Sequence, residues 1–407
     1  MDPALLDAAD LLRPFRDRFV LPQGTIYLDG NSLGCLPKAT APKITELVNV
    51  DWGQNLIGSW NVAGWVDAPQ RVGDKIARLV GAEEGEVVAC DSTSVNVFKA
   101  LCAALSANPG RSTILSERGN FPTDVYMMQG LEALTGRRVS ARLVDGETVL
   151  DAIDDDTAVV LLTQVHYRTG RVRDMVATTA AAQARGALVI WDLSHSAGAI
   201  PADLSGANAD FAVGCGYKFL NGGPGAPGYI FAARRHQDTA MPALSGWFGH
   251  ARPFDFDDAY RPAPGIARFL VGTPPIIGLA ALEVGVDLMR EADMAQVRSK
   301  SVAMGELFAR RMAPLCERHG FMLASPADPA ERGSQISYAH PEAYPIVQAL
   351  IARGVVGDFR APDVLRFGLT PLYTSFGEIA AAVDTIAAVM DEGAWDRPEF
   401  KVRAAVT

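Results

Sequence analysis

VIWDLSHSAGAIP (residues 189–201) and DFAVGCGYKFLNGGPGAPGYIF (210–231) decide the fold. Each opens as a short apolar run that ends in polar residues. Asp192 closes the first run, with His195 three residues on. Lys218 follows the second and opens a turn rich in Gly and Pro. Further β-like runs stand at 86–90, 112–115 and 158–165, separated by helical patterns at 71–80, 95–105 and 177–187. Strands alternating with helices predict an α/β fold, a mostly parallel central sheet with helices on both faces. In open sheets of this kind ligands gather at the carboxyl ends of the strands, where Asp192 and Lys218 are placed.

Outward from this centre the texture changes. Helical stretches at 275–290 and 294–319 are followed by a strand at 335–338, a helix at 342–353 and strands at 355–359 and 364–367. Ile379, Val383, Ile386 and Met390 then mark one face of a closing helix. Toward the N-terminus lie an amphipathic helix at 5–15, an extended piece at 25–28 and the turn DGNSLG at 29–34. The expected division is an N-terminal arm and small-domain segment (1–60), a large α/β domain (61–290) and a smaller C-terminal α+β domain (291–407).

Composition excludes several classes. The 407 residues carry 37 Lys plus Arg against 47 Asp plus Glu, a net charge of −10, which opposes nucleic-acid binding. With 49% hydrophobic and 21% charged residues, the chain is not broadly disordered. Five scattered cysteines without a C-x-x-C pair argue against a disulfide scaffold or a cysteine-rich zinc site; no metal is expected. No basic n-region precedes an apolar core at the N-terminus, and no apolar run is long enough to span a membrane, so a cytoplasmic protein is expected.

An Asp and a Lys at the strand ends suit the two ends of a flat cofactor. Pyridoxal phosphate (PLP) needs a lysine amine for its Schiff base and a carboxylate to keep its ring nitrogen protonated. Alone, Asp192 also reads as a helix cap and Lys218 as a solvated lysine; the order strand-Asp-x-x-His, strand-Tyr-Lys-loop favours the cofactor. The phosphate requires a helix N-terminus with hydroxyls. Asp91-Ser92-Thr93-Ser94 before the helical pattern fits, although such residues also serve as ordinary caps.

With these residues in view, the chain resembles the kynureninase family, PLP enzymes of fold type I in the aminotransferase-like superfamily. The resemblance is carried by LDGNSLG (28–34), SWNVAGW (59–65), DSTSVNVFKAL (91–101), NFPTD (120–124), WDLSHSAGA (191–199), GCGYKFLNGGPGAPG (214–228), SGWFGH (245–250), GTPP (272–275) and RFGLTPLYTSF (366–376). It implies hydrolysis of L-kynurenine, and of its 3-hydroxy form, at the Cβ–Cγ bond, giving anthranilate or 3-hydroxyanthranilate and L-alanine. Tryptophan catabolism and NAD biosynthesis are the implied settings.

The resemblance also implies roles. Lys218 would carry PLP and move the α-proton, Asp192 would pair with the ring nitrogen, and His195 would lie beside the cofactor. Phe121 would stack on the ring. Thr93, Ser94 and Tyr217 would bind phosphate or ring substituents, with Asp124 and Thr163 positioning the cofactor. Tyr217, or else Lys218, would serve as the acid–base group. Trp247 and Thr273 would reach the phosphate from the other subunit of a homodimer with shared sites. Arg366 would grip the substrate carboxylate by a two-pronged ion pair. Trp60 would face the substrate's aromatic ring, and Asn31 and Ser32 would line the same space. Each of these residues has a plain structural alternative as core, cap or surface ion-pair residue.

Two competing readings share the lysine. A cysteine desulfurase or class V aminotransferase is the first; a desulfurase needs a mobile loop cysteine, and neither Cys215, in an apolar run, nor Cys316, in a helical pattern, suits that. A PLP-binding regulator with a DNA-binding module is the second, and the acidic charge and the absence of a basic segment oppose it.

Overall fold

The computed structural model describes residues 2–403. A seven-stranded sheet forms the centre. In chain order its strands are β1 (Val87–Ala89), β2 (Thr113–Glu117), β3 (Ser140–Val144), β4 (Thr157–Thr163), β5 (Leu188–Asp192), β6 (Phe211–Cys215) and β7 (Gly228–Ala232). Their spatial order is β1-β7-β6-β5-β4-β2-β3. The pairs β2–β3, β2–β4, β4–β5 and β5–β6 are parallel, whereas β7 runs antiparallel to both neighbours. The sheet is thus mostly parallel, as expected. Six strands point the same way, and their carboxyl ends share one edge.

Burial on both faces explains the apolar runs. All seven residues of β4 are buried, as befits a strand covered on both sides. Along β4 and β5, Val160, Leu162, Val189 and Trp191 enter one core layer. The intervening Val159, Leu161 and Ile190 enter the other, with Phe211 and Ile230. Helices Ala68–Leu79 and Ile276–Arg290 cover the first face; Thr93–Ala107 and Pro122–Leu134 cover the second.

A second, four-stranded antiparallel sheet pairs Met322–Leu323, Gln335–Ala339, Val364–Gly368 and Asp358–Arg360 in that order. Its core includes Phe308, Ile336, Phe367 and Ile386, with Leu28 from the N-terminal segment. The helix Met294–His319 serves both cores: Val297 packs with the large sheet, and Met304 and Leu315 with the small one.

Three local expectations change. The helix expected at 5–15 breaks into an α-helix, Pro3–Ala8, and a 3₁₀ turn, Arg13–Arg18. Asp10 turns its side chain to Leu12 N (2.9 Å), and Pro14 has no N–H to continue the helix. The strand expected at 355–359 is two strands in different sheets. Val355–Val356 pairs in parallel with Ile26–Tyr27, and Asp358–Arg360 joins the four-stranded sheet. Strands β3 and β7 were not anticipated; every residue of β3 is only partly buried, so its apolar signal is weak. Among the described residues no helix is long and apolar enough to cross a membrane.

Candidate active site

The shared edge of the sheet gathers the singled-out residues. Asp192 ends β5 and Thr163 ends β4. Lys218 lies three residues beyond β6, and residues 120–124 follow β2. Thr93 and Ser94 open the helix that follows β1, with Asp91 in the left-handed region (φ 49°) where the chain turns into it. Of these, Thr93, Ser94, Thr163, Asp192 and Lys218 line a cavity of about 240 Å³ together with Phe121, Thr123, Tyr167, Ser194, His195 and Tyr217.

At its floor, Lys218 Nζ stands 3.1 Å from His195 Nε2. It also lies 5.7 Å from the ring centres of Phe121 and of Tyr217. Burial, followed by the charges of Lys218, Arg366 and Arg360, holds His195 well below its ordinary pKa. Its ring is therefore neutral and accepts from the lysine. Asp192 is buried and accepts from Ser194 N (2.8 Å). Burial raises its pKa, against the pull of Ser194 and Lys218.

Asp124 is fully buried, and neither of its oxygens has a hydrogen-bond partner. Burial and then the charge of Asp192 push its carboxyl well above the usual range, with nearby Asn120 and Lys218 opposing. Asn120 ties the edge together. Its Oδ1 accepts from Thr163 Oγ1 (2.8 Å) and Phe121 N (2.7 Å), and its Nδ2 donates to Ser116 Oγ (3.1 Å). Ser94 Oγ lies 3.0 Å from Thr123 Oγ1. Tyr217 is partly buried, and burial raises its hydroxyl pKa, which keeps it a proton donor.

The second cluster lies where the small sheet meets the large one. Arg366, 1% exposed, directs Nε to Asp358 Oδ1 (2.8 Å) and Nη2 to Asp358 Oδ2 and to Ser32 Oγ (2.8 Å). Its Nη1 donates to the carbonyl of Tyr167 (2.7 Å). Arg366 thus makes a two-pronged pair with Asp358. Asn31 sits between Asp29 Oδ1 (3.3 Å) and Arg366 Nε (3.0 Å).

Trp60, Trp247 and Thr273 do not line the Lys218 cavity in the single chain. Trp60 packs against Trp65 and Phe248, and Phe248 packs edge-on to Trp247. Trp247 is 41% exposed, and Thr273 is exposed. Sequence reasoning passed over Tyr167, Arg360 and Asp358. For the last two a signal existed, since DFR is a charged-apolar-charged stretch next to a strand.

The groups present fit PLP. Two buried carboxylates, one without any partner, need a cationic or N–H counterpart. Hydroxyls stand at a helix N-terminus, where phosphate is favoured, and the only lysine in the cavity lies between two rings.

A kynureninase of Burkholderia pseudomallei is 49% identical over 407 residues, covering 99% of this chain and 98% of that protein. One of Pseudomonas fluorescens is 48% identical, covering 100% and 99%. The chain belongs to the kynureninase family. The family model for the kynureninase C-terminal domain matches residues 297–386. Among solved structures, the cysteine desulfurase CsdA of Escherichia coli superposes with a TM-score of 0.76 at 19% identity, covering 96% of this chain and 99% of that one. A C-DES structure, in which glycine is covalently linked to the PLP cofactor, superposes with a TM-score of 0.77 at 18% identity, covering 91% and 98%. At such identities these two establish the fold that the kynureninase family here shares with them.

Proposed function

We propose that this protein hydrolyses L-kynurenine to anthranilate and L-alanine with PLP as cofactor. The observation that carries the reading is the cavity in which Lys218, Asp192 and the hydroxyls of Thr93 and Ser94 converge, in a chain nearly half identical to kynureninases along its whole length. PLP, when bound, supplies an electron sink for the pair left on the substrate α-carbon.

In this reading Lys218 would hold the cofactor through its amine and would take the α-proton of the substrate. Neutral His195 accepts a hydrogen bond from Lys218. Asp192 would hold the proton of the cofactor's ring nitrogen, and Phe121 would supply an aromatic wall for the cofactor. Asp124 and Thr163 fix the cofactor's position, while Thr93 and Ser94 hold the phosphate. Tyr217 donates a proton at the reacting carbons, with Lys218 as the alternative donor. Water adds to the γ-carbonyl, the Cβ–Cγ bond breaks and anthranilate leaves; a proton on Cβ and a proton returned to Cα by Lys218 complete L-alanine.

Trp247 and Thr273 act across a homodimer interface, and Trp60 faces the substrate ring. Their absence from the cavity of the single chain is compatible with delivery from a partner. Cys215 Sγ is buried, and burial raises its thiol pKa; Cys316 sits in a helix. Neither serves a desulfurase.

The test is purified protein with PLP and L-kynurenine, following anthranilate fluorescence and L-alanine. Equal yields are expected. A cofactor-loaded protein that forms no anthranilate would remove the hydrolase reading and leave the cofactor assignment.

A further inference from the structure

Lys99 is a buried cation that the proposed reaction does not use. It stands in the second turn of the helix Thr93–Ala107, whose first two residues bring their hydroxyls to the Lys218 cavity. Side chains on a helix lean toward its N-terminus, and Lys99 reaches back to the turn that precedes it. Its Nζ donates to Asp91 Oδ2 (2.7 Å), to the carbonyl of Phe269 (2.7 Å) and to Cys90 Sγ (3.3 Å). An ammonium has three donors, and all three are taken. The Lys99 side chain is 0% exposed, against 30% for that of Asp91.

An apolar side chain would fill the same core without the cost of taking an ammonium out of water. What the charge holds is the turn. Burial pushes the Cys90 thiol up to about 11, against the pull of Lys99, so the sulfur is uncharged and Asp91 is the counter-ion. Asp91 has a φ of 49°, a conformation that a residue with a side chain keeps only where its surroundings fix it. Lys99 fixes its carboxylate, and Gly228 N donates to its carbonyl (2.8 Å). Asn96, one turn before Lys99, donates to the Cys90 carbonyl (2.8 Å). Next in the chain come Ser92, whose Oγ accepts from Val95 N (3.4 Å), then Thr93 and Ser94. The directions of their N–H and O–H groups follow from how Asp91 is held.

We infer that Lys99 is a positioning residue for the phosphate end of the cofactor site: it pins the Asp91 turn and so aims the donors of residues 92–94. The inference rests on the proposed place of the phosphate at Thr93 and Ser94 and deepens it. Through the Phe269 carbonyl Lys99 also braces the turn against a neighbouring segment, in which the Val271 carbonyl accepts from Phe248 N (3.2 Å). The phosphate then meets donors that are already oriented and need not be ordered on binding. Pyridoxal, which lacks the phosphate, gains nothing from the brace.

The experiment titrates the full-length apoprotein with PLP and with pyridoxal, and follows the visible absorbance of the lysine-bound cofactor. Lys99→Met keeps an unbranched stem and removes the ammonium, and the Asp91 carboxylate it leaves is open to water. The variant is expected to weaken PLP binding about tenfold or more while changing pyridoxal binding less than about twofold. Equal losses for both, the mark of general loosening, or no loss for either, overturn the assignment. If Lys99→Met does not fold, Asp91→Asn carries the same comparison. It keeps an acceptor for Lys99 without the charge, so a smaller loss confined to PLP is expected, and equal losses or none again overturn the assignment. Wild-type protein that holds pyridoxal as tightly as PLP would remove the phosphate placement and this inference with it. The titration contains no kynurenine, so a failure of the hydrolase reading leaves the comparison decisive for Lys99.

Discussion

His195 Nε2 accepts from Lys218 Nζ at 3.1 Å, while the other nitrogen of the same ring, Nδ1, is buried without a partner. A neutral imidazole with its proton on Nδ1 satisfies the lysine, and a charged imidazole would face an ammonium in a dry site. In the proposed mechanism the pair divides the work: neutral His195 would orient the lysine, and Lys218 would exchange protons.

Lys218→Ala is expected to abolish the visible absorbance of covalently held cofactor and to lower turnover by at least about a thousandfold. His195→Gln, which keeps an acceptor near Nζ, retains the absorbance and loses much less activity. Absorbance spectra and anthranilate fluorescence on the two variants make the comparison. Normal turnover by Lys218→Ala would end the proposed mechanism.

Asp124 makes apoprotein stability pH-dependent. Its folded pKa is raised well above the ordinary value, chiefly by burial. Its contribution is therefore complete below the unfolded pKa and is lost as pH rises through the folded one. Asp124→Asn removes this loss. The variant apoprotein should melt a few degrees higher than wild type near pH 8, with a smaller difference near pH 5. If Asp124 positions PLP, as proposed, the variant also gains less in melting temperature when PLP is added. Thermal melts with and without PLP at both pH values check this. A difference that grows on acidification would contradict the assignment of the shift.

Asp358 and Arg366 are each about 1% exposed and share two hydrogen bonds. Removing one partner of a buried pair strands the other charge, at a cost of about 3–5 kcal/mol. Asp358→Ala should therefore lower the urea midpoint strongly. The joint replacement Asp358→Leu with Arg366→Met should cost less than Asp358→Ala alone, because no charge is left uncompensated. Urea unfolding of the two variants, followed by fluorescence, gives the order.

Trp247 and Thr273 allow a test of shared sites. Mixing Lys218→Ala with Trp247→Ala under subunit exchange forms hybrid dimers in which one of the two sites has both intact residues. Half of the dimers are hybrids, so activity should return to about a quarter of the wild-type level. No recovery despite demonstrated exchange would place Trp247 in its own subunit's site.

The sequence made the centre of this molecule legible because burial on both faces forces continuous apolar runs. Those at β4, β5 and β6 announce the sheet, and the polar residues that end them, Thr163, Asp192 and then Lys218, announce its functional edge. Strand β3 was not legible because its SARLV segment is only half-buried. The division of 355–359 was hidden because Gly357 interrupts nothing in the hydrophobic pattern, although a Cβ there would stand 2.7 Å from the Phe367 ring. Arg360 and Asp358 were overlooked for a different reason. Their partners, Arg366 and Ser32, come together with them only on folding.

The turn DGNSLG shows how a motif read as lining the substrate space also supports the lysine. Gly34 N donates to the carbonyl of Tyr217 (2.9 Å), and a Cβ on Gly34 would meet the Lys218 carbonyl at 2.3 Å and Asn221 Oδ1 at 2.6 Å. Backbone cannot yield as a flexible side-chain tip can. Gly34→Ala must therefore push the loop that bears Lys218, at a cost of about 1–3 kcal/mol. Gly223, in the same Gly-rich loop, has open space around its Cβ position but a φ of 75°, so Gly223→Ala costs about 1 kcal/mol through backbone strain alone. The two substitutions thus separate stability from placement of the lysine. Gly34→Ala is expected to shift or weaken the absorbance of lysine-bound cofactor and to lower kcat, whereas Gly223→Ala lowers the melting temperature and leaves the spectrum unchanged. Identical spectra for both would mean that the Lys218 loop absorbs the added methyl without moving its amine.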